Sequence, residues 1–156
     1  MTSSGSGRGG ANRSEALGGG RERFARGLGV RRAVLGAEYV DASIAGADAF
    51  TAPLQELVTE YCWGEIWTRP ALSRRDRSLL NLAMLTALNR PHELRLHTRG
   101  AVANGVSREE IQEALLQATI YAGVPAGVDA FRVAREVLDE IADGADGGDA
   151  APESGQ

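Results

Sequence analysis

The stretch ELRLHTRGAVANG, residues 93–105, contains an acid and a base at a spacing that could carry out chemistry. On a helix, Glu93 and His97 would lie on one face and could touch. An imidazole beside a carboxylate has a pKa that is tunable near neutrality, which suits proton transfer. Leu94 and Ala101 share that face, so we expect His97 to point inward. The spacing fits equally well a buried structural histidine and an acid that stabilises a helix N-terminus.

A second group of candidate residues is the arginine cluster in RPALSRRDR. Arg74, Arg75 and Arg77 crowd the predicted first turn of a helix, where the helix dipole disfavours cations. Guanidinium groups beside unpaired backbone N–H groups would attract an anion, especially a dicarboxylate. The alternative is that these arginines form salt bridges with nearby acids, namely Glu56, Glu60, Glu65 or Asp76.

Both tryptophans of the chain lie in the stretch TEYCWGEIWTRP. Trp63 and Trp67 flank Gly64, a residue that often ends helices. Two indole rings this close would form either an apolar pocket wall or a packing element, and the sequence leaves both interpretations open.

Composition excludes several classes of function. The formal net charge of −4 argues against a nucleic-acid binder, because phosphate binding needs a basic surface. All 17 basic residues are arginine, so no lysine is present to form a Schiff base. The single cysteine, Cys62, excludes an intrachain disulfide, a zinc-finger cluster and a Cys-x-x-Cys pair. No apolar run of about 18 residues or signal-peptide pattern is present, which predicts a cytoplasmic protein without a membrane partner.

The chain divides by composition into three parts. Residues 1–20 are rich in glycine and serine and are predicted to be disordered, as is the acidic tail over residues 143–156. We expect residues 21–142 to form one folded domain.

Every strong pattern within residues 21–142 predicts a helix. Ser73 with Asp76 and Ser107 with Glu110 match the capping-box pattern at two helix starts. The segment SRRDRSLLNLAMLTALN is apolar on nearly every side, which predicts a central, buried helix. Pro91 suits a first helical turn and Gly105 a C-terminal cap. A last helix is expected from about 125 to 141. Because no six-residue stretch alternates with period two, the predicted fold class is all-α.

The segments WGEIWTRP, RRDRSL, ELRLHTRGA and YAGVPA together resemble the carboxymuconolactone decarboxylase family of the alkylhydroperoxidase D-like superfamily. The resemblance covers residues 21 to 140 approximately. Other branches of that superfamily carry a Cys-x-x-Cys pair followed by a histidine on the equivalent helix. His97 matches that histidine, whereas Arg90 and Glu93 stand where the cysteines would be. The resemblance therefore excludes thiol peroxidase chemistry and favours the decarboxylase branch.

The resemblance implies an alkylhydroperoxidase D-like helical bundle that assembles as a homo-oligomer, a hexamer or trimer, without metal or organic cofactor. The implied reaction is decarboxylation of 4-carboxymuconolactone to 3-oxoadipate enol-lactone and CO2, in the β-ketoadipate pathway for protocatechuate. The implied partner is thus a small lactone dicarboxylate. Two other functions stay open: a homologue that acts on another lactone or vinylogous acid in a biosynthetic pathway, and a non-catalytic oligomeric binding protein.

The implied reaction assigns roles to the candidate residues. His97 is expected to donate the proton, with Glu93 as its orienting partner. Glu60 is a further candidate for acid or base work. The expected substrate-binding residues are Arg75, Arg77, Trp63, Trp67, Arg99 and Arg90.

Overall fold

The computed structural model describes residues 10–146, and this part of the chain is helical throughout, without a strand. The elements are α1 (Gly10–Leu35), α2 (Ala37–Ala45), α3 (Ala52–Leu57), a π-helix (Val58–Ile66), α4 (Arg74–Ala87), α5 (Pro91–Ala103), α6 (Arg108–Ala122) and α7 (Val124–Asp146). The predicted all-α class is confirmed. No helix in this described part is long and apolar enough to cross a membrane.

The helices form two compact units, Met1–Ala71 (unit 1) and Leu72–Gln156 (unit 2). Residues 21–142 span both units, and the single domain over this range stays a prediction. Helix α1 begins at Gly10 and α7 ends at Asp146, so both helices extend into segments predicted to be disordered. Adding a residue to an existing helix costs little, which allows this extension. The remainder of both segments lies outside the described residues.

Unit 1 is built on the close crossing of α1 with the π-helix. Its core comprises two valines of α1, Val30 and Val34, and the two tryptophans. Gly27 of α1 lies directly against the backbone of Thr59 and Gly64, so an added Cβ would overlap that backbone. Glycine is therefore required at this crossing.

Unit 2 consists of α4 to α7, and its helix ends follow the sequence signals. The capping boxes of Ser73 with Asp76 and of Ser107 with Glu110 are both formed. Helix α5 starts at Pro91, and Gly105 follows its end with a φ of 82°. The core of unit 2 is apolar and consists of Leu82, Leu94, Ala101, Val106, Ile111, Leu115, Ala130, Val133 and Ala134.

The prediction that α4 is central and buried holds for only one face of the helix in the single chain. One face, with Ser78, Leu82 and Thr86, is buried. The opposite face is apolar but open, since Met84 exposes 51% and Leu88 67% of its surface. An apolar residue on a helix is buried only where another element covers it, and unit 2 covers only one side of α4.

The crossing in unit 1 makes a stability prediction at two glycines of the same helix. Gly27→Ala should destabilise the protein by about 1–3 kcal/mol or more, because the new methyl group has no space. Gly29→Ala is the matched control. Gly29 has no atom within 4 Å of an added Cβ, so alanine should stabilise the helix by about 0.5–1 kcal/mol. Urea unfolding of both variants measures the change in the free energy of unfolding. Equal changes for the two variants would contradict the close contact at Gly27.

Candidate active site

The candidate site in unit 2 is centred on His97, which lies on α5 and is half-buried. Its Nδ1 atom is 3.3 Å from Nδ2 of Asn81, a residue of α4. The roles in this contact depend on the tautomer of the ring: when the amide nitrogen donates, Nδ1 is the acceptor. In that tautomer the proton of the neutral ring is on Nε2.

The surroundings of His97 favour the neutral imidazole. Burial is the dominant cause and lowers the pKa of His97 below its ordinary value of 6.5. The carboxylate of Glu93 opposes this shift and raises the pKa. Glu93 is exposed and lies one turn before His97, so its charge acts partly through solvent. An anion that binds beside His97 would shift the pKa in the same direction as Glu93 does.

Arg77 is the basic residue nearest to Asn81 along α4. It is half-buried on α4, four residues before Asn81, which places the Cβ atoms of the two residues about 6 Å apart. One turn of α4 thus presents both a guanidinium group and the amide that contacts His97. This arrangement can hold a carboxylate near a proton donor.

The acid that forms an ion pair with Arg75 is not one of the four that the sequence suggests. Its guanidinium group forms an ion pair with Glu110, the capping residue of α6. Glu60, one of the acids considered, instead pairs with Arg23 within unit 1. Arg75 therefore connects α4 to α6, and its role in substrate binding stays a prediction.

The structure does not bring Arg99 to His97. Two residues along a helix turn by about 200°, so the two side chains leave α5 on nearly opposite sides. Arg99 is exposed and pairs with Glu140 of α7, as does Arg95. Arg90 is exposed at the N-cap of α5. Substrate binding by Arg99 or Arg90 stays a prediction that these positions do not favour.

The tryptophans are deeply buried in unit 1. Trp63 exposes 3% and Trp67 6% of its surface, and their ring centroids are 4.6 Å apart in a stacked arrangement. These contacts fit the packing interpretation, and the pocket-wall interpretation stays a prediction. No group of three His, Cys, Asp or Glu residues that could hold a metal ion occurs within residues 10–146.

Asn81 is not among the site residues that the sequence predicts. The sequence does contain an indication of it, since Asn81 is the one polar residue in the apolar run LLNLAML, one turn after Arg77. Its significance depends on which helix α4 packs against, and this information is absent from the local pattern.

Comparison with known proteins identifies the family. The model of the carboxymuconolactone decarboxylase family matches residues 52–136. The chain is 45% identical to a nitrosuccinic acid decarboxylase from Metarhizium robertsii, over 79% of this chain and 86% of that protein. It is 40% identical to a 4-carboxymuconolactone decarboxylase from Acinetobacter baylyi, over 77% of this chain and 90% of that protein. The chain belongs to the carboxymuconolactone decarboxylase family, whose fold is the alkylhydroperoxidase D-like helical fold.

The two relatives share a reaction type and differ in substrate. Both are decarboxylases by name, which supports carboxy-lyase activity for this chain. One acts on a lactone and the other on an open-chain nitro acid. Family membership therefore supports the reaction class without selecting the substrate.

The contact between Asn81 and His97 can be tested by changing its charge. Asn81→Asp places a carboxylate beside Nδ1, so the pKa of His97 should rise by about one unit or more. NMR titration of the imidazole signals measures this, with the exposed His92 as an internal reference signal.

The matched control is Asn104→Asp. Asn104 lies at the end of α5 and bonds to Ser78, so the new charge is added to unit 2 away from the imidazole. An equal pKa change of His97 in both variants would contradict the contact.

Proposed function

We propose that this protein is a cofactor-independent decarboxylase that converts 4-carboxymuconolactone to 3-oxoadipate enol-lactone and CO2, as part of aromatic catabolism through the β-ketoadipate pathway. The observation that carries the proposal is the half-buried His97, in contact with Asn81, a residue that lies one turn after Arg77 on α4. The 40% identity to a 4-carboxymuconolactone decarboxylase supports this substrate.

The chemistry of the substrate explains why so few groups suffice. The leaving carboxylate is bonded to a ring carbon next to a C=C bond. That C=C bond is conjugated with the lactone carbonyl. When the C–CO2 bond breaks, its electron pair moves through the ring and reaches the carbonyl oxygen, which gives a dienolate. Addition of one proton at the carbon next to the carbonyl completes the enol-lactone. The substrate itself accepts the electrons, so this reaction path needs no cofactor.

The enzyme has three tasks in this reaction. It must hold the carboxylate that stays on the product, for which the fork of Arg77 is suited. It must stabilise the negative charge of the dienolate, and it must supply a proton. A protonated His97 performs both of the last two tasks, with its Nε2–H group directed at the substrate. Asn81 acts as a positioning residue: the charged ring carries a proton on Nδ1 as well, so the amide then turns its oxygen, which accepts, toward that nitrogen.

The lowered pKa of His97 fits this role once the substrate is included. In the free protein, burial favours the neutral ring. The bound substrate brings two negative charges next to the imidazole, which raise its pKa and promote proton uptake. The acid is therefore formed in the complex.

A second candidate substrate is nitrosuccinic acid, because the relative with 45% identity is named for that compound. The chemistry is analogous. Loss of CO2 from the carbon that bears the nitro group moves the electron pair onto the nitro oxygens, and the second carboxylate again needs a cation. The two substrates differ in shape, since one is a ring and the other an open chain.

We also propose that the protein works as a homo-oligomer, a hexamer or trimer, in the cytoplasm. The support is the amount of apolar surface that the single chain leaves open, including Met84 and Leu88 on α4. A monomer at micromolar concentration in sedimentation velocity experiments would contradict the oligomer.

The assay that tests the function compares the two substrates. Purified protein is incubated with 4-carboxymuconolactone or with nitrosuccinic acid, and CO2 and product are measured. We expect the larger kcat/KM for the lactone. A larger value for nitrosuccinic acid would support the second candidate, and absence of CO2 from both would contradict a decarboxylase acting on either compound.

His97→Ala should lower turnover of the lactone by about 10²–10⁴-fold, because it removes the general acid. His92→Ala is the matched control, since His92 is the other histidine, is exposed and lies on the same helix. Circular dichroism and thermal unfolding establish that both variants are folded. A folded His97→Ala protein with near-normal kcat would remove His97 from the mechanism.

Arg77→Lys keeps the positive charge but loses the two-pronged geometry, which should cost about 1–3 kcal/mol, or roughly a 5- to 150-fold rise in KM. The control is Arg95→Lys, which alters an exposed ion pair between α5 and α7. Equal kinetic parameters for Arg77→Lys and the unmodified protein would assign Arg77 to a structural role.

A further inference from the structure

Arg31 of α1 carries a charge in the buried part of unit 1. It exposes 6% of its surface, and no other charged side chain is buried among the residues whose burial the structure describes. A guanidinium group cannot be deprotonated in a protein, so this charge is permanent. Removal of such a charge from water is costly unless an opposite charge and hydrogen bonds compensate it. Arg31 therefore needs partners.

The described hydrogen-bond partners of Arg31 are neutral. Its Nη1 atom donates to Oε1 of Gln55 at 2.8 Å and to Oγ1 of Thr59 at 3.0 Å. Its Nε atom is buried and has no hydrogen-bond partner in the described part of the chain. Residues of α3 and the π-helix thus hold one nitrogen of the guanidinium group, and the edge that carries Nε is left without an acceptor.

Two carboxylates of unit 1 that could have compensated Arg31 pair with other arginines. Glu60 of the π-helix forms an ion pair with Arg23. Asp41 of α2 forms an ion pair with Arg32, the residue after Arg31. No acid among the described residues acts on Arg31, so its charge has no counter-charge there.

The ionisable groups that do act on Arg31 are the Tyr39 phenol and the Cys62 thiol. Burial raises the pKa of Cys62, which favours the uncharged thiol. For Arg31 itself, burial outweighs both groups and lowers the pKa. Tyr39 and Cys62 are both exposed, so the protein surface lies close to the buried guanidinium group. A small ligand has a short path to it.

A carboxylate is the ligand that matches this site. Two N–H groups on one edge of a guanidinium group bind the two oxygens of a carboxylate in a planar fork. A single guanidinium group compensates a single negative charge. A carboxylate carries one such charge, whereas a phosphate group brings nearly two.

We propose that Arg31 is the centre of a carboxylate-binding site in unit 1, in which Gln55 and Thr59 hold the guanidinium group and its Nε edge receives the ligand. The carboxylate belongs either to the substrate of the decarboxylation or to a separate small acid. The inference goes beyond the proposed function, and binding tests it without reference to activity.

Succinate is the probe for this site in the intact protein. Both tryptophans of the chain lie in unit 1, so their fluorescence reports on that unit. We expect a saturable fluorescence change and a rise in Tm of roughly 3–6 °C at ten times the Kd. The uncharged succinamide, at equal ionic strength, is the control ligand. Absence of saturable succinate binding, or an equal effect of succinamide, would overturn the site.

Gln55→Glu supplies the counter-charge from within the chain. The new carboxylate takes the place of the amide oxygen that contacts Nη1 at 2.8 Å. The variant should have a higher Tm than the parent protein and should bind succinate about tenfold more weakly or worse. Gln117→Glu is the matched control, since Gln117 is exposed on α6 and gains the same charge. Undiminished succinate binding to Gln55→Glu would contradict the proposal.

Arg31→Gln removes the charge itself. Its matched control is Arg26→Gln, since Arg26 is an exposed arginine of the same helix that donates to the carbonyl oxygen of Gly64. Succinate should bind to Arg26→Gln and no longer to Arg31→Gln. Equal binding to both variants would refute the site. If Arg31→Gln fails to fold, Gln55→Glu still decides, because it is expected to be more stable than the parent.

Displacement identifies the source of the carboxylate. His97→Ala, in which turnover should be slow, is saturated with succinate and then titrated with 4-carboxymuconolactone. Release of succinate assigns the site to a carboxylate of the substrate, and its retention assigns the site to a separate acid. Both results keep the site, and a protein that forms no CO2 from either substrate leaves the binding test intact. Dissociation of an oligomer by succinate in sedimentation velocity would assign Arg31 to a carboxylate of another copy and would overturn the small-ligand site.

Discussion

The burial of one imidazole is the constraint on which the candidate site depends. Burial lowers the pKa of the half-buried His97, because the surrounding residues exclude the water that would stabilise its positive charge, and this favours the neutral ring in the free protein. The neutral ring needs a hydrogen-bond partner, and Asn81 supplies a donor for Nδ1. The same burial makes the ring sensitive to an added anion, since a charge acts more strongly where water is excluded. A group that is neutral alone and protonated beside a dicarboxylate suits the proposed reaction.

The packing of α4 determines where Arg77 and Asn81 lie, and one half-exposed carboxylate adds a contact at its first turn. One oxygen of Glu110 accepts a hydrogen bond from the Ser107 backbone at the start of α6, and the other pairs with Arg75 of α4. The start of α6 and the first turn of α4 are therefore connected through a single residue. Arg75 therefore makes a contact between α4 and α6 that does not depend on substrate.

Local features of the fold were predictable from sequence because they depend on neighbours within one turn. Both capping boxes and the start of α5 at Pro91 are of this kind. The pairing of Asn81 with His97 was not predictable, since it requires knowing how α4 packs on α5. The sequence likewise could not separate the roles of Arg75 and Arg77. The ion pair that sets Arg75 apart is with Glu110, which is distant in the chain. The apolar pattern of α4 predicted burial on all sides, and its open face shows that a pattern does not identify what covers it.

The pH dependence of kcat/KM compared with that of kcat tests the central claim, that His97 must be protonated in the transition state. The free enzyme has a His97 pKa below 6.5, so kcat/KM should fall as the pH rises above that value, by about tenfold per pH unit. In the complex the anionic substrate raises the pKa, so kcat should stay level to a higher pH before it falls. The alkaline fall should be absent from residual activity of His97→Ala. A kcat/KM that rises through the same range would show that His97 acts as a neutral base and would contradict the account.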